Sequence, residues 1–179
     1  MENLIKVSIL REQLSNRNSG IDNESGVYRW WFKKEAAEML ISKLPLSADE
    51  QARIAKRTID KEEYWALYFG ISKDMLGRAK WHILQKHSAS AVKHGTLSTL
   101  RQTISALLGV DMSTSEDDVN RFIDDNCYWE WGYETSPKDI ESRELSSPDK
   151  CYPLNIQGNK TVCGDIIKRL KKLRKTHKK

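Results

Sequence analysis

Apolar residues recur along the chain in two rhythms, and the changes of rhythm mark out the elements. Leu4, Val7, Leu10 and Leu14 repeat at helical spacing over residues 1–19, and the segment 20–25 (Gly-Ile-Asp-Asn-Glu-Ser) breaks that first helix. Residues 26–32 (Gly-Val-Tyr-Arg-Trp-Trp-Phe) are β-branched and aromatic, which predicts a strand. Ala37, Met39, Leu40 and Leu44 predict a helix stopped by Pro45, and Ser47, Ala48, Asp49 and Glu50 match the capping box of a second helix running through Arg57. Residues 33–60 therefore read as a helical insertion. A second strand spans 63–70 and ends in Gly70. The helix after it, from about residue 74 to 87, turns Leu76, Ala79 and Ile83 inward and stacks Arg78 and His82 one turn apart. Leu97, Leu100, Ile104, Leu107 and Leu108 form the clearest helical stripe, stopped by Gly109. A helix capped at Ser115, a third strand over 127–134, a helix opened by Ser136 and Pro137, an irregular stretch over 148–159 and a final helix carrying Ile166, Ile167, Leu170 and Leu173 complete the chain.

This order predicts an α/β (α+β) fold with a small three-stranded sheet flanked by helices. At 179 residues, 39% of them hydrophobic, one core is expected. Its divisions are an N-terminal helix or arm (1–23), a main domain (24–160) and a basic C-terminal helix (161–179). The formal charge of +5 changes the picture once it is located. Residues 168–179 hold eight Lys or Arg and no acid, leaving the other 167 residues at −3. Basicity is thus a property of the last helix, suited to phosphate contact. Cys127, Cys151 and Cys163 form no CxxC pair, so neither a zinc knuckle nor a disulfide framework is encoded. With no apolar run of about 18 residues and no basic-then-apolar start, the expectation is a cytoplasmic protein without a membrane span. Phosphate-loop, dinucleotide, zinc-protease and serine-hydrolase templates are absent.

What remains is an ordered set: Gly26-Val27-Tyr28, Tyr68-Phe69-Gly70, Arg78, His82, Glu141 or Glu144, and Asn155. Taken singly, the tyrosines read as packed strand residues and the charged groups as solvated helix faces. Taken in order, the set resembles the GIY-YIG nuclease superfamily, whose two short strand motifs correspond to the Gly-Val-Tyr and Tyr-Phe-Gly runs. Arg78 stands where the family has its arginine, and His82 where restriction-type members have histidine or tyrosine. Glu141 followed by Leu145 matches the metal-binding glutamate and its aliphatic companion, and Pro153-Leu154-Asn155 matches the closing proline and asparagine. The resemblance covers about residues 24–160, with some forty residues between the two strand motifs.

The resemblance implies a divalent-metal-dependent DNA endonuclease. Phosphodiester hydrolysis needs a proton acceptor for water, positive charge at the phosphorane oxygens and a cation at the leaving oxygen. Tyr28 is the implied general base, its phenol lowered by nearby cations, with His82 holding or relaying the proton. Arg78 forks onto the phosphate, Tyr68 positions it, Glu141 holds Mg²⁺ (or Mn²⁺), and Asn155 orients Tyr28 or nearby backbone. DNA contacts are expected from Lys73, from Arg101 and Gln102, and from Lys168, Arg169, Lys171 and Lys172 of the tail. A homodimer is expected from one active site acting on two strands. Two rivals stand beside this reading: a non-catalytic nucleic-acid-binding protein on the same fold, and a basic-tailed interaction protein.

Overall fold

The computed structural model describes all 179 residues. Alternation along β2 (Gly26–Lys33) sends Tyr28, Trp30 and Phe32 to one face, and Val27, Arg29 and Trp31 to the other. With both faces apolar, β2 belongs in the middle of a sheet. It pairs antiparallel with β4 (Glu62–Ser72) on one side and β5 (Cys127–Tyr133) on the other. With β1 (Asn3–Lys6) and β3 (Lys56–Ile59) at its edges, the sheet is five-stranded, in the order β1-β5-β2-β4-β3, and entirely antiparallel.

The expected count of three strands is therefore corrected by two edge strands, both hidden in segments read as helix. β1 (Asn3–Lys6) pairs Ile5 with Trp129, so Leu4 and Ile5 face opposite clusters although Leu4 also fits the helical spacing of α1 (Val7–Ser15). β3 (Lys56–Ile59) occupies the end of the expected second helix. It folds back onto β4 through Asp60 and Lys61, both at positive φ (49° and 69°), the two-residue turn whose twist suits a hairpin. No glycine marks that turn, which is why the hairpin is invisible in the residue pattern. The insertion thus consists of α2 (Lys34–Ile41), the single-turn α3 (Ala48–Ala52) with its Ser47 and Glu50 capping box, and β3. It leaves the motif strands adjacent, with Tyr28 opposite Gly70.

A bulge between Trp30 and Trp31 skips Leu67, letting both Leu67 and Tyr68 join the larger core on the Tyr28 face. That core is built with α1, α4 (Met75–Ile83), α6 (Thr99–Leu108), α7 (Glu116–Asn126) and α9 (Gly164–Thr176). Short α5 (Ala89–Lys93) lies between α4 and α6, and α8 (Pro137–Glu144) packs on β4 and β2. The N-terminal segment and the basic helix share this single core: Val7, Leu10, Ile166 and Leu170 are fully buried in it. No helix is long and apolar enough to cross a membrane.

Because α9 docks on α6 through Ile166 and Leu170, its apolar face is part of the core. Leu170→Ala should cost about 2–5 kcal/mol in urea unfolding. Lys171→Ala, on the exposed face, should stay within about 0.5 kcal/mol. Equal midpoints for the two variants would show that the helix is not docked.

Candidate active site

The glycines of the two strand motifs answer to close approaches. A Cβ on Gly70 would lie 2.4 Å from Cζ and Oη of Tyr28, and one on Gly26 would lie 2.3 Å from the carbonyl oxygen of Gly132. The Tyr28 ring therefore lies across β4 in space left by a missing side chain. Its hydroxyl reaches His82 of α4, Oη to Nε2 2.8 Å, and His82 Nδ1 meets Ser98 Oγ at 2.7 Å. Ser98 in turn caps α6, accepting from the backbone N–H of Arg101. Tyr28 and His82 are 2% and 1% exposed, and the Tyr68 ring packs 6.3 Å from that of Tyr28.

Burial sets the proton affinities here. The Tyr28 phenol is pushed well above its usual value by desolvation and by Tyr68, against a smaller downward pull from Arg78. The lowering by cations expected from the sequence is thus outweighed. Tyr68 is raised as well, again chiefly by burial. His82 is held well below the usual imidazole range by burial and by the positive charges of Arg78 and Arg101, so it is neutral at pH 7.

Arg78, one turn before His82, forms no ion pair; its guanidinium lies over the Trp81 ring at 4.6 Å from the centroid. Trp81 is itself pinned by donating Nε1–H to the Thr96 carbonyl at 3.1 Å. The platform presents a cation whose donors are uncommitted. Arg78 and Lys73 line one groove, and Lys138 lines both it and a cleft of about 650 Å³ lined by Tyr68, Thr99, Glu141, Asn155, Lys160 and Arg174.

The two candidate glutamates on α8 have opposite surroundings. Glu144 accepts from Lys150 and from the Tyr152 hydroxyl (2.5 Å) and lies 3.6 Å from Arg29. Burial alone would raise its carboxyl, but these partners outweigh it and hold the group below the usual range. The Glu141 carboxylate has no hydrogen-bonding partner, lies in the cleft with Tyr68, and is raised by burial despite the counter-pull of Arg78. No three His, Cys, Asp or Glu side chains cluster at metal-binding distances. A single carboxylate suits a hard cation that draws its other ligands from water and phosphate, and Glu141 is the free one.

Asn155 clamps β4 rather than Tyr28. Its side chain accepts from Phe69 N–H (2.9 Å) and donates to the Phe69 carbonyl (2.7 Å), while Leu154 N–H donates to the Leu67 carbonyl (3.1 Å). β3 pairs with β4 only as far as Trp65, so this loop supplies the edge partner for the stretch that carries Tyr68.

Two expected DNA contacts are turned inward. Arg101, 1% exposed, donates to His87 Nε2 (2.7 Å), Asn120 Oδ1 (2.7 Å) and the carbonyls of His82 (3.0 Å) and Ile83 (3.4 Å). Gln102 donates to the Leu97 carbonyl (2.5 Å) and accepts from Arg174. On α6, Arg101 is covered by α7 and Gln102 by α9, so both face protein. Lys73, Lys168, Arg169, Lys171 and Lys172 remain exposed, Lys168 pairing with Asp165 (3.1 Å). Sequence reasoning missed Trp81, Lys138, Lys160 and Arg174. For Arg174 a signal existed, since 166, 170 and 174 lie on one helical face.

A family model described as the GIY-YIG catalytic domain matches residues 26–176 of the chain. No curated protein and no solved structure matches it.

Two measurements follow from the geometry. Gly70→Ala should lower stability by about 1–3 kcal/mol as Tyr28 is forced off β4, whereas Gly164→Ala, with open space around its Cβ, should not. The second concerns pH. His87 accepts from Arg101 through Nε2 and donates to the Met112 carbonyl through Nδ1 (2.8 Å), so a second proton has no place on it. Burial and Arg101 push it down to about 4. The unfolded chain protonates both His82 and His87 near pH 6.5, so it binds more protons than the folded state below that pH. Urea midpoints should therefore fall steadily from pH 7 towards 5, and a flat profile over that window would contradict the neutral assignments.

Proposed function

The chain belongs to the GIY-YIG nuclease superfamily, and from that premise we propose that it is a divalent-metal-dependent DNA endonuclease. The observation that carries the reading is the hydrogen-bonded line Tyr28–His82–Ser98 beside a cleft in which Glu141 has no partner. Attack of water on a phosphodiester releases a proton that must go somewhere as the oxygen–phosphorus bond forms. With its phenol raised by burial, Tyr28 does not stand as a free phenolate. It takes the proton from water while passing its own to the neutral His82 Nε2, 2.8 Å away, so no phenolate forms and the positive charge rests on the imidazole only while the anionic phosphorane stands beside it. Ser98 holds the ring through Nδ1 and fixes its direction.

Arg78, braced on Trp81, offers its fork to the non-bridging oxygens, where negative charge accumulates in the transition state. Tyr68, held on a strand segment that Asn155 fixes, places its hydroxyl on the same phosphate. Glu141 is the residue that would hold Mg²⁺ or Mn²⁺, and such a cation, when bound, supplies positive charge at the leaving 3′ oxygen. Lys73 at the groove and the exposed face of α9 supply the non-specific attraction to the backbone. The rival, a nucleic-acid-binding protein without turnover, draws support from the near-complete burial of Tyr28 beneath Tyr68.

Plasmid DNA incubated with the protein at low salt in Mg²⁺, Mn²⁺ or EDTA decides between them. Cutting should require the metal and fall at least about a hundredfold in Tyr28→Phe, Arg78→Ala and Glu141→Ala. Glu144→Ala should lose stability while retaining cleavage per folded molecule. Salt-sensitive binding without cutting under any condition would establish the rival.

A further inference from the structure

The last turns of α9 do something that a basic, solvated helix end does not. Ile166 and Leu170 are fully buried, and the next residue on that face, one turn on, is Arg174. The guanidinium is thereby carried to the wall of the cleft that also holds Tyr68 and Glu141. Its neighbours on the helix behave differently: Lys168, Lys171, Lys172 and Lys175 all point to solvent.

The environment of Arg174 is unusual for a half-buried cation. No carboxylate pairs with it. Its one protein partner is the amide oxygen of Gln102, and that amide is held in place by donating to the Leu97 carbonyl at 2.5 Å. A guanidinium carries five N–H donors, and removing them from water without a counter-charge costs free energy that a neutral amide does not return. Burial accordingly works against its charged form. Lys138 and Lys160 line the same cleft, and Glu141 is its only carboxylate. Such a set is complete only when an anion enters.

We infer that Arg174 binds a backbone phosphate of the substrate next to the one being cut, so that Arg78 and Arg174 hold two phosphates from the two sides of Lys138. This rests on the nucleic-acid reading of the site, and it assigns to the C-terminal helix a place inside the cleft. Thr99, which lines the cleft at the first turn of α6 with its side chain against Tyr68, would be a further donor to that phosphate. The buried turn of α9 then has a reason to be basic on its inner face as well as its outer one.

The test uses the full chain and a fluorescent DNA duplex, with binding measured in EDTA across a series of KCl concentrations and cleavage measured in Mg²⁺. Arg174→Gln should reduce the slope of log affinity against log salt by about 0.9, the loss of one phosphate contact. Its kcat/KM should fall about ten- to a hundredfold, with kcat reduced at saturating DNA because the scissile phosphate is less well placed. Arg174→Lys should keep the salt slope, since the charge remains, but recover only part of kcat, because an ammonium cannot fork. Unfolding midpoints near wild type for both variants separate a lost contact from a lost fold. An unchanged slope and unchanged kcat/KM in Arg174→Gln, with the wild type cutting normally, would overturn the inference and leave the nuclease reading intact. A reduced slope in a protein that never cuts would support the phosphate contact while removing the nuclease reading.

Discussion

The Tyr28 ring lying across the bare Cα of Gly70 is the constraint from which the site geometry follows. It requires that β2 and β4 pair in the register that sets Tyr28 opposite Gly70. A slip of one residue would set Phe69 there and send the ring against a side chain. It also requires α4 to sit over the same end of the sheet. That placement is tied to β2 itself, because the first turn of α4 donates from Met75 N–H to the Glu24 carbonyl (2.9 Å) and from Leu76 N–H to the Asp22 carbonyl (3.2 Å), just before the strand begins. Asp74 caps the helix by accepting from Gly77 N–H at 2.8 Å. His82, two turns in, then arrives over the phenol with little freedom left.

Much of this was readable because it depends on local pattern. The strand motifs, the arginine and histidine one turn apart, and the stripes of α6 and α9 are short-range signals with a fixed period. What escaped was decided by tertiary pairing. β1 is four residues whose pattern also fits the adjoining helix, and β3 turns through Asp60 and Lys61 without glycine; each becomes a strand because a neighbour offers an edge. Arg101 and Gln102 looked like the solvent side of an amphipathic helix, and no pattern within α6 reveals that α7 and α9 cover them. The proton affinity of Tyr28 was misjudged for a related reason: counting nearby cations ignored the larger cost of burying the phenolate.

Buried Arg101 shows why covering α6 was worth its cost. Four hydrogen bonds absorb its donors, two of them to carbonyls at the end of α4 that the helix cannot satisfy itself. The guanidinium therefore fixes the turn that carries His82, and its charge helps keep that imidazole neutral. Ser98, at the start of the same helix, holds the far side of the ring. The first turn of α6 thus positions His82 twice, its ring through the Ser98 hydroxyl and its backbone carbonyl through the Arg101 guanidinium.

The pattern of satisfied and unsatisfied charge argues where the work is done. On the opposite face of the sheet, Glu130 receives Arg29 (3.3 Å), Arg57 (3.2 Å) and the Trp31 indole (2.9 Å), and Glu144 receives Lys150 and Tyr152. There both glutamates are matched by cations and hydroxyl or indole donors. Around Tyr68 the matching stops: Glu141 has no partner, Arg78 has only an indole face, and Arg174 has only an amide oxygen. Three turns of different helices each leave one charge incomplete, Glu141 and Arg174 towards the cleft and Arg78 towards the groove that adjoins it at Lys138. Charged groups left without a counter-charge beside a cleft are the ones a ligand can complete, and on the proposed reading a phosphodiester would offer an anion to both arginines and an oxygen ligand to a cation at the glutamate.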